Sequence, residues 1–472
     1  MMKPLSILLP ALLAITACSG QAQEQAVELK PRLVVCTDIG RAEVEPDDTE
    51  SAVRLMSYAD RYEIEAIITT VGWNCDPYPD EWAEYLNNVV DAYGKDAANL
   101  MKRSGQDSYL SLEEENGSQQ LGYWPSVDYI RSRCMMGSQR AGIGVIGEGN
   151  DTPGSEFLIK LADEDDPRPI WVTSWGSSNT LAQAIWKVQQ TRTPEEVKAF
   201  VQKFRIYTIT DQDMVYGMRF NRAYSSHQWM RREFKDDLLF IWDEGTWNEQ
   251  CELGKKYWDK ISTLIQGNGH LGEVYPTYLW GVEGDTPSYL HVMPNGLSDP
   301  DDPTQVSWGG YHRYGTCPDR ETTAWTCWEE PMRQTSIDYF TRFYPDQLND
   351  FIARIQWAKD GAGNRNPVTA VNKDSSVKPL VLTALSGRTI KLDASASYDP
   401  DGDALDFTWW QQAEAGDDEN GQAPLDLGDT TQPSIKFTLP DEPGKEFHII
   451  CEVHDNGPWN LVSYKRVIIK TI

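Results

Sequence analysis

Residues 32–56, RLVVCTDIGRAEVEPDDTESAVRLM, constrain the fold of this chain more than any other stretch. Residues 33–36 are continuously apolar, which predicts a short strand buried on both faces. Asp38 follows this strand, the pair Asp47 and Asp48 comes after a polar insertion, and residues 49–60 have helical periodicity. In an open α/β sheet, ligands bind outside the carboxyl ends of the strands. The three aspartates therefore lie where a ligand site is expected.

Three carboxylates gathered on one loop repel each other unless protons or a cation neutralise them. A set of oxygen ligands favours a hard ion such as Ca²⁺ or Mg²⁺, and Ca²⁺ tolerates irregular geometry better. Asp38, Asp47 and Asp48 thus predict a metal or sugar site. The alternative is that Asp47 or Asp48 only caps the helix that follows, which is a common use of aspartate.

The same segment resembles the opening of nucleoside hydrolases. In that family a strand is followed by an Asp-x-Asp-x-x-x-Asp-Asp signature, which holds Ca²⁺ and the ribose hydroxyls. Here Cys36 takes the place of the first aspartate, while Asp38, Asp47 and Asp48 match the other three after a longer insertion. The closer resemblance is to a bacterial group of nucleoside-hydrolase-like proteins, often described as cellulose-binding, which end in an Ig-like domain. It implies an α/β domain with a mostly parallel sheet flanked by helices, followed by an all-β sandwich.

The resemblance also implies a set of metal ligands. Trp175 matches the residue whose backbone carbonyl completes the cation's shell, and Asp285 matches the distant aspartate of that shell. The implied ligands of Ca²⁺ are therefore Asp38, Asp48, Trp175 and Asp285. Asp47 is then expected to contact the substrate.

Further polar residues are candidate substrate contacts. Asn74 matches an asparagine that lines the site in the relatives, with a simple turn role as the alternative. Asn179 opens a predicted helix, where it either meets a polar ligand or acts only as an N-cap. Asp211 and Asp213 follow a predicted strand and match the part of the fold that closes over the sugar. Glu148 lies in a glycine-rich loop that lets the backbone approach a ligand.

One departure from nucleoside hydrolases concerns the nucleobase. True inosine-type hydrolases have a histidine directly before the distant aspartate, and it helps the base to leave. Here that residue is Gly284, and the nearest histidines, His270 and His291, lie in other contexts. The rings that could stack a base instead are those of Trp73, Trp175 and Trp280. The sequence therefore retains the sugar and metal half of the site but not the nucleobase half.

Residues 1–18 predict a targeting segment. Lys3 supplies a positive start, residues 7–15 form an apolar run too short to span a bilayer, and Cys18 ends a lipoprotein signal-peptidase box. A lipidated Cys18 with a tether over residues 19–28 would anchor the protein to a bacterial envelope membrane, at the periplasmic or the cell-surface side. The alternative is an ordinary secretory peptide that is cut nearby.

The net charge bears on the binding partners of the chain, and the cysteines bear on disulfides and zinc sites. The net charge of −29, with no basic cluster to offset it, argues against binding to nucleic acid.

Cys317 and Cys327 could form a disulfide in an oxidising periplasm, whereas Cys36 and Cys451 lie in apolar runs typical of buried thiols. No Cys-x-x-Cys pair or His/Cys spacing indicates zinc. The sequence leaves open whether the protein forms a homo-oligomer.

A change of composition after Trp357 predicts a second domain. Residues 359–367 are rich in turn formers, and beyond them short β-rich runs alternate with turns, which is typical of an all-β sandwich. The expected division is a nucleoside-hydrolase-like domain over residues 29–357 and an Ig/PKD-like sandwich over residues 358–472.

Three functions are compatible with these features. The leading one is a calcium-dependent hydrolase of N- or O-glycosidic bonds that acts on a carbohydrate, with Asp38 as general base for the attacking water. The second is a non-catalytic lipoprotein that binds cellulose or another polysaccharide through tryptophan rings and the C-terminal sandwich. The third is a true nucleoside hydrolase, against which the missing histidine counts.

Overall fold

The computed structural model describes residues 28–213, 224–416 and 421–472. Its central sheet consists of β1 Arg32–Thr37, β2 Glu63–Thr69, β3 Cys134–Met136, β4 Ile170–Ser174, β5 Phe204–Ile209, β6 Leu239–Asp243, β7 Arg313–Thr316 and β8 Thr323–Thr326. The strand order is β3-β2-β1-β4-β5-β6-β8-β7. Neighbouring strands are parallel except in the β7–β8 hairpin. The predicted mostly parallel sheet is therefore confirmed.

Helices flank this sheet. Within the described residues they are α1 Pro46–Ser57, α2 Ala83–Ser104, α3 Leu112–Glu115, α4 Val127–Ser132, α5 Pro153–Ala162, α6 Asn179–Thr191, α7 Pro194–Val201, α8 Ser226–Glu233, α9 Thr246–Lys256, α10 Trp258–Leu264, α11 Gly269–Glu273, α12 Thr286–Leu290 and α13 Met332–Asp360. Two short 3₁₀ turns cover Asp80–Trp82 and Ile143–Val145. None of these helices is both long and apolar enough to cross a bilayer.

Helix α1 begins earlier than its apolar periodicity predicts. It starts at Pro46 rather than at residue 49, because proline fits the first helical position and acidic side chains are favoured in the first turn. Asp47 and Asp48 lie in that turn, and the N-cap residue is Glu45. The alternative role considered for Asp47 or Asp48, that of capping this helix, is therefore wrong.

The continuous apolar run of β1 is explained by cover on both faces of the sheet. Leu33 and Val35 belong to one hydrophobic cluster, which includes residues of α1, α2 and α13. Val34 and Cys36 belong to a second cluster, formed with α5 and α6. Successive residues of a strand point to opposite faces, so a strand with both faces covered has no polar alternation.

The C-terminal region is all-β, as expected. Its strands are β9 Leu380–Ala384, β10 Thr389–Asp393, β11 Leu405–Gln411, β12 Ser434–Thr438, β13 Glu446–Asp455 and β14 Val462–Thr471. They form a β10-β12 sheet and a β11-β13-β14-β9 sheet, and both contribute to a single buried core. The preceding helix α13 ends at Asp360, three residues beyond the boundary predicted after Trp357, and Gly361 closes it with a positive φ of 63°.

The predicted disulfide between Cys317 and Cys327 is wrong. Every cysteine in the described residues is a free thiol, and both of these are buried. The β7–β8 hairpin keeps them apart: the N–H group of Cys317 bonds to Thr322 at the turn, whereas Cys327 follows the other end of β8. Cys36 and Cys451 are buried thiols, as predicted.

A buried ion pair connects α1 to the segment that precedes α12. Arg54 Nη1 lies 2.6 Å from Glu283 Oε2, and both side chains are almost completely buried. Arg54 also donates to the carbonyl of Gln347 in α13 at 2.8 Å. Through Glu283, this arginine fixes the chain two residues before Asp285.

We expect Arg54→Met to lower the free energy of unfolding by about 3–5 kcal/mol, because it leaves the Glu283 carboxylate buried without its partner. Urea denaturation of the purified protein measures this change. The matched control is Arg131→Met, which breaks a half-exposed pair with Asp91 and should cost at most about 1 kcal/mol. Equal losses in the two variants would contradict the structural role of Arg54.

Candidate functional site

Five carboxylates from three parts of the chain meet at the carboxyl end of β1. Asp38 follows β1, Glu45, Asp47 and Asp48 come from the start of α1, and Asp285 directly precedes α12. Ligand oxygens of Asp38, Glu45 and Asp48 lie within 4.8 Å of one another, and so do those of Asp47, Asp48 and Asp285. Because Asp48 belongs to both groups, we refer to the five residues together as the carboxylate cluster.

Glycines at the ends of the neighbouring strands make room for this cluster. A Cβ atom at Gly72, after β2, would lie 1.9 Å from Asp38 Oδ2, and one at Gly176, after β4, would lie 2.9 Å from Asp38 Oδ1. A Cβ atom at Gly284 would lie 2.7 Å from Asp47 Oδ2. Any side chain at position 284 would therefore require the Asp47 carboxylate to move.

Burial and mutual repulsion disfavour ionisation across the carboxylate cluster. Burial, followed by repulsion from Asp47, raises the pKa of Asp38 to about 8. Burial raises the pKa of Asp47 to about 6, although hydrogen bonds oppose the shift. The pKa values of Glu45, Asp48 and Asp285 are raised well above the usual range, again by burial first and then by the neighbouring carboxylates.

The carboxylate cluster has the properties of a cation site. Among the described residues, no lysine, arginine or histidine forms an ion pair with any of its five members. The buried oxygens Asp38 Oδ2, Asp47 Oδ1 and Asp285 Oδ2 have no hydrogen-bond partner. Buried polar atoms are almost always satisfied, so three unsatisfied oxygens in one cluster fit a hard ion such as Ca²⁺.

The predicted ligand Trp175 lies beside this cluster. Its N–H group donates to the carbonyl of Cys36 at 2.8 Å, and the following Gly176 faces Asp38. The indole ring is completely buried, where its Nε1 atom donates to Ser288 at 2.8 Å. Only the backbone of Trp175 therefore remains a candidate contact for a cation, and its ring is not placed to stack a base.

Asn74, Trp73 and Asp211 form one side of the site. The Asn74 side chain donates to Glu45, and the half-buried Trp73 ring donates from Nε1 to the carbonyl of Asp211 at 3.0 Å. Burial opposes ionisation of Asp211, but the adjacent His227 and a hydrogen bond from Ser225 lower its pKa below the usual range. An aromatic ring and a negative charge therefore flank the carboxylate cluster.

The side chains of two other predicted substrate-contact residues are already hydrogen-bonded to other groups of the protein. The buried Asn179 side chain bonds both the N–H and the carbonyl of Gly142, at 3.1 and 3.0 Å. The N-cap of α6 is Ser178, so the N-cap role considered for Asn179 is wrong. Asp213 accepts bonds at both of its oxygens, including the N–H groups of Ser178 and His227. These residues hold the loops together.

Glu148 and the histidines do not join the carboxylate cluster. Glu148 is exposed on the loop before α5. All six histidines lie in the described residues, and none of them belongs to either carboxylate group. His291 is buried and bonded to Ser307 and Pro300, and His270 bonds Glu273 at the surface. Within the part of the chain that the structure describes, no histidine therefore takes the place of the one that assists departure of a base.

Glu45 is the member of the carboxylate cluster that sequence reasoning missed. It immediately precedes the Pro46-Asp47-Asp48 run that opens α1, and it is 4% exposed. The sequence position of Glu45 could have revealed it, because an N-cap residue lies at the same end of the helix as the acidic residues of the first turn. Its side chain makes no capping bond and is instead directed to Asn74 and the carboxylate cluster.

The parallel sheet, the carboxylate cluster and the all-β C-terminal region define a nucleoside-hydrolase-like protein. The chain belongs to the family described as cellulose-binding Sde182, nucleoside hydrolase-like domain, which matches residues 32–314. Residues 389–471 match a second family, described as cellulose-binding protein Sde0182, C-terminal domain.

A similar solved structure is that of a nucleoside hydrolase-related hypothetical protein from Saccharophagus degradans, described as associated with carbohydrate metabolism. It is 32% identical in sequence with a TM-score of 0.79, and the match covers 94% of this chain and 100% of that chain. The PKD domain from KIAA 1837 protein matches 23% of this chain and 91% of its own, at 18% identity and a TM-score of 0.17, which is too low to be informative. No curated protein matches the chain.

We expect Ca²⁺ to stabilise the protein more as pH rises. An acid whose pKa is raised by folding stabilises the folded state at low pH, and this contribution is lost as pH rises through the folded value. The pKa of Asp38 is about 4 in the unfolded chain and about 8 in the folded chain, so its contribution to stability is lost between about pH 4 and pH 8. Calcium binds the deprotonated carboxylates and so replaces the lost protons.

Thermal melting with EGTA or with Ca²⁺ at about pH 5 and pH 8 measures this effect. With free Ca²⁺ about 100-fold above its Kd, the added stability at pH 8 should be about 2.7 kcal/mol, and it should be smaller at pH 5. Asp48→Asn should remove the calcium response. A response that is absent at pH 8, or that is unchanged between the two pH values, contradicts the prediction.

Proposed function

We propose that this protein is a calcium-dependent hydrolase of N- or O-glycosidic bonds that acts on a carbohydrate. The observation that carries this proposal is the carboxylate cluster at the end of β1, which is buried, has no basic partner among the described residues and includes unsatisfied oxygens. The cellulose-binding description of its family supports a carbohydrate as the ligand. The similar protein from Saccharophagus degradans, described as associated with carbohydrate metabolism, supports the same choice.

In this proposal Asp38, Asp48, Asp285 and the Trp175 carbonyl hold the ion, and Asp47 and Asn74 contact the sugar. Bound Ca²⁺ would orient the sugar hydroxyls and make the attacking water more acidic. Asp38 accepts the proton of that water as general base. The negative charge of the surrounding carboxylates favours the positive charge that develops at the sugar C1 as its bond to the departing oxygen or nitrogen breaks, and the departing atom takes up a proton from water.

We further propose that the protein acts in the bacterial envelope. This rests on the lipoprotein signal and the lipidation site at Cys18, which lie outside the described residues. A lipid on Cys18 would tether the enzyme to a membrane, with the C-terminal Ig/PKD-like sandwich positioned to hold polysaccharide. The proposed domains are residues 29–357 and 358–472 after a signal peptide and tether.

The second candidate is a non-catalytic protein that binds cellulose or a related polysaccharide. It is favoured by the lack of a histidine at the carboxylate cluster and by the half-buried Trp73 ring at its edge. Indole rings stack on the apolar faces of sugars and keep a polar N–H for hydrogen bonding. In this case the carboxylate cluster would fix a bound sugar without cleaving it.

We expect Asp38→Asn to lower sugar release about 10²–10⁴-fold, because the variant lacks the general base. Reducing ends are measured over a panel of polysaccharides in the presence of Ca²⁺. The matched control is Asp96→Asn, which alters a buried carboxylate that bonds His270 and Leu271 instead. Base release from a nucleoside panel tests the third function, a true nucleoside hydrolase.

Cellulose pull-down separates the first two functions. If the wild-type protein binds cellulose but releases no sugar from any member of the panel, the hydrolase proposal fails and the binding protein remains. Equal sugar release by the wild-type protein and Asp38→Asn would show that Asp38 is not the general base.

We expect Trp73→Ala to weaken sugar binding by about 1–2 kcal/mol, because the variant loses a stacking surface beside the carboxylate cluster. Affinity is measured by calorimetry with a soluble cello-oligosaccharide. The matched control is Trp328→Ala, since that ring is also half-buried and also donates from Nε1 to a backbone carbonyl, at 2.9 Å. Equal effects of the two substitutions would show that Trp73 does not contact the sugar.

A further inference from the structure

A second group of metal-ligating side chains lies at the same edge of the sheet, outside the carboxylate cluster. Asp243 is the last residue of β6, Cys327 directly follows β8, and His312 directly precedes β7. Strands β6 and β8 are parallel neighbours in which Trp242 pairs with Thr326, so Asp243 and Cys327 leave the sheet side by side. Ligand atoms of Asp243, His312 and Cys327 lie within 4.8 Å of one another.

The His312 ring is buried and lacks polar partners. It is 0% exposed, and neither Nδ1 nor Nε2 has a hydrogen-bond partner. Its neighbours are aromatic: the Tyr207 ring lies 5.5 Å away and the His291 ring 5.8 Å away, both edge-on. A buried imidazole normally has at least one of its nitrogens bonded. An imidazole that faces a thiol and a carboxylate instead has the surroundings of a metal ligand.

The other two residues are held in place by the fold. Asp243 Oδ1 accepts the N–H groups of Gly245 and Thr246, both at 2.9 Å, which fixes the carboxylate at the start of α9. The Cys327 thiol donates to the same oxygen at 3.2 Å. The missing side chain at Gly245 allows this approach, since a Cβ atom there would lie 3.2 Å from the sulfur.

We propose that Asp243, His312 and Cys327 bind a zinc ion that joins β6, β8 and the segment before β7. Zn²⁺ binds thiolate sulfur at about 2.3 Å and imidazole or carboxylate atoms at about 2.0–2.2 Å, so these ligand atoms can reach one ion after small movements. An enclosed water would complete the tetrahedral shell, since these residues supply three of its four ligands. Mixed sulfur, nitrogen and oxygen ligands favour zinc over Ca²⁺, which prefers oxygen alone.

Charge balance supports a divalent ion at this position. On binding, the Cys327 thiol loses its proton to solvent, its hydrogen bond to Asp243 is lost, and a bond from sulfur to the metal forms. One carboxylate, one thiolate and a neutral imidazole then neutralise the two charges of the ion, so no net charge is left in the buried site. The proposal is independent of the function assigned to the carboxylate cluster.

Cobalt substitution tests this site directly, because a cobalt ion bound to a thiolate absorbs in the near ultraviolet by charge transfer. The full-length protein is produced with Co²⁺, and its metal content is measured by mass spectrometry. We expect about one cobalt ion per chain at this site together with the charge-transfer band. Cys327→Ser and His312→Gln should each lose the cobalt bound at this site and, with it, the charge-transfer band.

Two controls separate this site from other causes. Cys317→Ser changes a buried thiol of the same hairpin outside the group and should retain the band. Asp48→Asn changes the carboxylate cluster, whose ligands are all oxygens, and should also retain it. The wild-type protein alone is decisive if a variant fails to fold: absence of the band overturns the proposal. A charge-transfer band that persists in folded Cys327→Ser also overturns the proposal.

Discussion

The repulsion among five buried carboxylates is the constraint on which the rest of this structure depends. Asp38 and Asp48 lie ten residues apart and Asp285 comes from a distant part of the chain, and their ionisation in a buried place is costly without a positive partner. Arginines are available nearby but are used elsewhere: Arg54 pairs with Glu283, and Arg354 pairs with Asp60 and Asp350. The fold therefore gathers acidic groups at the end of β1, where we propose that a divalent cation neutralises them.

Close packing around this charge restricts the chemistry of the site. Gly72, Gly176 and Gly284 lie so close to the acidic side chains that any Cβ atom would displace them. At Gly284, a histidine like the one that assists base departure in nucleoside hydrolases would require the Asp47 carboxylate to move. The chain thus differs from true nucleoside hydrolases in having glycine at position 284, and the Trp73 ring lies at the edge of the cluster.

The sequence predicted the parts of the structure that depend on local pattern. The apolar run of β1, the aspartates after it and the all-β C-terminal region follow from periodicity and turn signals. Contacts between distant segments were harder to predict. Spacing suggested a disulfide for Cys317, whereas hairpin register places it away from Cys327. Spacing rules also missed the group of Asp243, His312 and Cys327, because only strand order brings such residues together.

The central claim is that one calcium ion neutralises the carboxylate cluster. A crystal structure of the protein grown with Ca²⁺, with anomalous data collected to locate the ion, tests it most directly. The account predicts one peak between Asp48 and Asp285, with 6–8 oxygen ligands at about 2.3–2.6 Å. No peak there, with the carboxylates paired to each other through shared protons or bonded only to water, would contradict it.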